Sequence, residues 1–108
     1  MQLTETNCYF VYITTQGKEE ARLIGQALVD EKLAACANII GGMESIYRWD
    51  GTVVQDRESV LIAKTTGERL DALEAKVKEL HSYDVPCIIA MPIVAGSSDY
   101  LDWIREET

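Results

Sequence analysis

His81, the only histidine of the chain, shares the stretch ELHSYDVPCII (79–89) with Cys87. With Cys36 and the carboxylates of Glu79 and Asp84, these residues offer the borderline, soft and hard donors from which divalent-metal sites are built. Their spacing matches no structural zinc motif. One histidine per subunit around a symmetry axis would supply several ligands at once. A competing reading needs no metal: His81 closes a helix, where an imidazolium favours the negative dipole end and caps a carbonyl. In either reading His81 is expected to touch solvent or ligand. Val85-Pro86 ends the loop, because the residue before a proline is driven to extended geometry. Cys87 then opens the next strand and is expected to face the core.

A second group lies on the arm ESIYRW. Ser45, Tyr47 and Trp49 alternate with Ile46 and Arg48, so a strand places their side chains on one face. Beside a buried Glu58 and Lys64, Tyr47 and Trp49 are candidates to line a small-molecule cleft at a subunit boundary. Aromatic residues in that position equally serve as interface anchors. Catalysis finds no comparable support. The chain has no G-x-S-x-G, no H-E-x-x-H and no glycine-rich phosphate loop. Cys8, Cys36 and Cys87 lie in or beside apolar runs, where a thiol stays protonated. The chain reads as a non-enzyme.

The elements that must position these residues follow from periodicity. CYFVYITT (8–15) is an unbroken apolar run, the mark of a central strand. GKEEARLIGQALVDEKL follows as a helix, with Ala21, Ile24 and Leu28, joined by Leu23 and Ala27, at helical spacing. Gly25 inside it points to a close neighbour. AACANIIGGMESIYRW and TVVQDRESVLIAKT flank Asp50-Gly51, a strong hairpin signal. Gly41-Gly42 breaks the first arm with a bulge or a bend, and arms this long must overshoot the sheet and reach a neighbouring subunit. Leu70, Leu73, Val77 and Leu80 define one face of a second helix, with Thr65 and Glu68 spaced as a capping box. CIIAMPIVA is a further strand, in which Pro92 marks an edge or a bulge, and SSDYLDWIREE is a closing helix with Ser97 or Ser98 as N-cap. The fold class is α+β: a ferredoxin-like β-α-β-β-α-β domain over residues 1–108, with a long hairpin and a C-terminal helix. One sheet face stays bare in a monomer, which predicts self-association.

Charge narrows the partners. A formal net charge of -8 without any Lys/Arg cluster removes the electrostatic drive toward nucleic acid or an anionic membrane. The segment MQLTETNCYF lacks the basic and apolar regions of a signal peptide. Three cysteines with no C-x-x-C pair argue against a disulfide framework, so a cytoplasmic protein with reduced thiols is expected.

EKLAACANII, ESIYRWDG, LIAKT, ELHSYDVP and YLDW, in that order from about Ile13 to Trp103, resemble the CutA family of divalent-cation tolerance proteins. The resemblance implies a tight homotrimer related in architecture to PII signalling proteins, and a role in tolerance of divalent metals, copper above all. It also implies Cu(2+) or another divalent cation as ligand, held in some members by cysteine and histidine at positions matching Cys36 and His81. This chain departs from that pattern, with Ile13 in place of a second cysteine, Cys87 in place of a common glutamate and Ser82 in place of a common proline. The analogy with PII proteins implies an alternative, a small-molecule sensor or carrier with a pocket between subunits near Tyr47, Trp49, Glu58, Lys64 and His81. A structural or anchoring scaffold is a third reading.

Overall fold

The structure, a computed structural model, describes residues 5–108. The signal-peptide and domain readings extend to residues 1–4, which lie outside the described residues. The elements are β1 (Cys8–Thr15), α1 (Lys18–Asp30), β2 (Cys36–Trp49), β3 (Thr52–Thr66), a 3-10 turn (Gly67–Arg69), α2 (Leu70–Leu80), β4 (Ile88–Pro92) and α3 (Ser98–Glu106). This is the β-α-β-β-α-β order with a terminal helix that the periodicity predicts. The four strands pair antiparallel in the order β2-β3-β1-β4, so β1 is central and β4, ending at Pro92, is an edge.

The core follows from strand parity. Val11 and Ile13 of β1 stand opposite Ala63 and Leu61 of β3 and point the same way. Against them pack Ala21, Ile24 and Leu28 of α1 and Leu73 and Val77 of α2. Leu23, also at helical spacing, is instead exposed. Gly25 does have close neighbours, because a Cβ there would lie 3.2 Å from both Ala37 Cβ and Leu61 Cδ1, which would each have to give by a few tenths of an ångström. The capping box at Thr65 and Glu68 does not form. Thr65 Oγ1 donates instead to the Leu33 carbonyl at 2.7 Å, and the Glu68 carboxylate accepts from Asn7 Nδ2. A 3-10 turn intervenes, and α2 starts at Leu70. A long-range partner outcompeted the local one.

The opposite sheet face is covered at one end only. There α3 packs Leu101 and Ile104 on Cys8 and Ala35. Farther along, Phe10, Tyr12 and Ile62 are half-buried, while Ile40, Ile89 and Met91 are exposed.

The β2–β3 hairpin turns at Asp50 and Gly51, with φ of 51° and 79°, the left-handed pair that a two-residue turn of this kind requires. Between Ile40 and Met43 the register shifts, and the shift is a bulge in which Gly41 and Gly42 together oppose Ser59. Gly42 takes φ 73°, which glycine adopts without strain. β3 pairs with β1 only from Ser59 to Thr66, so Thr52–Glu58 of β3 and Met43–Trp49 of β2 pair with each other alone. At about 3.3 Å per residue this free half projects roughly 20 Å past the sheet. It accounts for the long axis of a molecule measuring 44 × 27 × 23 Å.

Candidate functional site

A cleft of about 620 Å³ opens where the projecting half of the hairpin leaves the sheet. Its hairpin wall carries Met43, Ser45, Tyr47 and Trp49. A straight β2 would put these residues on the face opposite Asn38 and Ile40. The bulge adds one residue and brings them to the same, uncovered face. The floor is Tyr12 and Thr14 of β1, which alternate with the core residue Ile13. The second wall is the loop after α2, with Tyr83, Asp84, Val85 and Cys87.

Glu58 sits at the junction of floor and hairpin and is only 8% exposed. Tyr83 OH donates to its Oε2 at 2.9 Å. Oε1 has no hydrogen-bond partner among the described residues, and Glu58 forms no ion pair there. Beside it, Tyr47 OH donates to Asp56 Oδ2 at 3.3 Å. Burial, then the hydrogen bond and charge of Glu58, then Asp56, push the Tyr83 phenol far above its ordinary value of 10.0. Desolvation followed by Asp56 and Glu58 raises the Tyr47 phenol as well. Both phenols therefore remain neutral donors in a cleft of negative potential, and among the described residues no lysine or arginine lines it.

Of the residues singled out in the sequence, Tyr47, Trp49 and Glu58 meet in this cleft, while Lys64 and His81 do not line it. Lys64 is half-buried rather than buried. It lies six positions beyond Glu58 on β3, about 20 Å along the strand, where its Nζ is held by Asn38 Oδ1 at 3.1 Å and Tyr100 OH at 3.2 Å. Cys36 is its register partner, half-exposed on the uncovered face with Sγ 3.6 Å from Tyr100 OH.

The expectation that His81 touches solvent is overturned, since its side chain is 0% exposed. Its Nε2 stands 2.7 Å from the Thr14 carbonyl and Nδ1 accepts the Tyr83 amide at 3.0 Å, an arrangement that assigns the proton to Nε2. The ring ties the end of β1 to the loop and caps no carbonyl of α2. Cys87 is also corrected. β4 starts at Ile88, and Cys87, whose carbonyl accepts from Thr14 at 3.4 Å, is half-buried and faces the cleft instead of the core.

A metal fits the donors of one chain poorly. Both His81 nitrogens are engaged, Cys36 lies at the other end of the sheet, and no group of three His, Cys, Asp or Glu that could hold an ion occurs among the described residues. The cleft residues absent from the sequence reading are chiefly Tyr12, Met43 and Tyr83. Tyr12 carried a usable signal, since its alternation with Val11 and Ile13 forces it to the face opposite the core.

Glu20 braces the same loop. Its carboxylate accepts the Gln16 and Ser82 amides, each at 3.0 Å, and stands 3.6 Å from His81 Nδ1. Burial is the largest single influence and opposes ionisation, yet the Gln16 and Ser82 hydrogen bonds outweigh it. The carboxyl is held below its ordinary value of 4.5. A depressed folded-state pKa stabilises the fold above the unfolded value, and that contribution is lost as pH falls through the folded one. Urea titrations between pH 3 and 7 should thus show wild-type stability falling below about pH 4.5. Glu20→Gln should fall less steeply. Parallel acid limbs would show that the brace does not couple to folding.

The architecture and the cleft define an α+β protein with a four-stranded antiparallel sheet, three helices and an open site fed by a projecting hairpin. The family model for CutA1 divalent ion tolerance protein matches residues 9–107. The chain belongs to this family. It is 53% identical over 98 residues to the divalent-cation tolerance protein CutA of Thermus thermophilus, covering 91% of this chain and 95% of that one. It is 47% identical over 98 residues to the chloroplastic protein CutA 1 of Oryza sativa, where the match covers 91% of this chain but only 55% of the rice protein. A solved divalent cation tolerance protein of Thermus thermophilus superposes with a TM-score of 0.92 at 51% identity, covering 94% of this chain and 98% of that one. Among the described residues no helix is long and apolar enough to cross a membrane.

Proposed function

We propose that this chain serves divalent-cation tolerance as a ferredoxin-like homotrimer that senses or carries a ligand, without catalysis, and that the cleft at the hairpin base is its ligand site. The observation that carries this reading is the projecting half of the hairpin, residues 43–58, which no other strand among the described residues pairs with and which forms one wall of the cleft. Copies of the chain packed through the uncovered face would enclose that wall and turn an open cleft into a pocket between subunits, a frequent ligand location. Three free cysteines among the described residues agree with a reducing cytoplasmic setting.

Direct copper(II) binding through His81 and Cys36 is the second reading. It is favoured by Cys36, a half-exposed thiol on the face that would meet its copies. Competition for copper against a chelator of known strength separates the two. The cleft reading expects weak binding that Cys36→Ser and His81→Ala leave within about twofold of wild type. Sub-micromolar, copper-selective affinity lost in Cys36→Ser would transfer the function to a metal site. The cysteine variant decides if His81→Ala fails to fold.

A further inference from the structure

We propose that the cleft binds a small organic cation, of the alkylammonium class, between the Glu58 carboxylate and the Tyr47 and Trp49 rings. The proposal rests on the cleft being the ligand site and names the chemistry it selects. Glu58 is more than nine-tenths buried, yet its Oε1 is unpartnered among the described residues, and the residue lines the cleft. Burying a carboxylate costs free energy unless it is paired or hydrogen-bonded, and since no buried side-chain oxygen among the described residues lacks a partner, Oε1 is the oxygen that opens to the cleft. Here one oxygen is held by Tyr83 and the other is left for a donor or cation arriving from the cleft.

The walls favour an organic cation over a metal ion. A hard divalent ion requires six or more oxygen ligands at short distance, and the described residues offer no such cluster. A volume of about 620 Å³ is far larger than an ion and lies in the range of small-molecule sites. Tyr12, Tyr47, Trp49 and Tyr83 present four aromatic rings to it, and aromatic faces attract alkylated ammonium groups, tryptophan most strongly. Asp56 and Asp84 flank the site, and among the described residues no basic side chain lines it to compete or to hold an anion. The overall charge of -8 favours the approach of a cation from a distance.

The test uses the full chain and follows indole fluorescence, with isothermal calorimetry as the second readout. The probes are choline, 1,4-diaminobutane and 3,3-dimethylbutan-1-ol, the uncharged isostere of choline. Saturable binding of one of the cations is expected, at least about tenfold tighter than the alcohol. It should weaken at least about tenfold in both Glu58→Gln, which keeps an acceptor for Tyr83 but loses the charge, and Trp49→Leu. Equal binding of choline and the alcohol would overturn the cation assignment while leaving the cleft as a ligand site. So would cation binding unchanged in Glu58→Gln. Absence of any binding, with an anionic and neutral metabolite panel also silent, would overturn the cleft reading itself. Trp49 is exposed at the rim, so its variant should fold and keeps the test decisive if Glu58→Gln does not.

Discussion

Ile89→Asp should yield a folded monomer where the wild type is expected to sediment and scatter light at three times its 12.1 kDa chain mass. Ile89 is 52% exposed on the edge strand β4, opposite Tyr12, and Met91 beside it is 44% exposed opposite Phe10. In an isolated chain a carboxylate at that position stays in water, so the core is untouched. In the proposed trimer three carboxylates would be buried without partners, each at a cost of several kcal/mol. That is enough to abolish assembly at micromolar concentration. Far-UV circular dichroism should be unchanged. A variant that remains trimeric would show that assembly uses another surface. A wild type that is already monomeric would remove the trimer altogether and leave the hairpin wall open to solvent.

Leu61→Ala should be the most damaging conservative change inside one chain. Leu61 is 0% exposed on β3, an interior strand, pairs with Ile13 and Ile39, and its Cδ1 is one of the two atoms that a Cβ at Gly25 would crowd. Truncation leaves a cavity that β3, held between β2 and β1, cannot collapse to fill. The expected loss is about 2–5 kcal/mol, seen as a fall in Tm of roughly 10 °C or more. Leu23→Ala, at an exposed site on α1, should stay within about 0.5 kcal/mol of wild type. Both must be compared at equal protein concentration, because assembly adds to apparent stability. Similar losses in the two variants would mean that the core is not centred on Leu61.

Much of the architecture was legible in the residues because its causes are local. Asp50-Gly51 turned the hairpin, since few other pairs take two left-handed conformations in succession. Gly25 announced a close neighbour because glycine is costly inside a helix, and Leu70, Leu73, Val77 and Leu80 announced α2 by period alone. The alternation of Ser45, Tyr47 and Trp49 was equally plain. Local signals failed where a distant group competed. Thr65 abandoned the capping box for the Leu33 carbonyl, and His81 turned from the helix end to the Thr14 carbonyl.

The sequence by itself therefore determined the order of elements, the residues that share a face and the overshoot of the hairpin. These depend on hydrogen bonds and periods a few residues long. Only the tertiary structure decided which face Tyr47 and Trp49 occupy, because the extra residue at Gly41-Gly42 reverses strand parity and its size depends on pairing with β3. It alone closed His81 off from solvent and brought Tyr83 to Glu58. These outcomes are set by where segments far apart in sequence come to rest, and a displacement of one residue along a strand is enough to move a side chain from core to cleft.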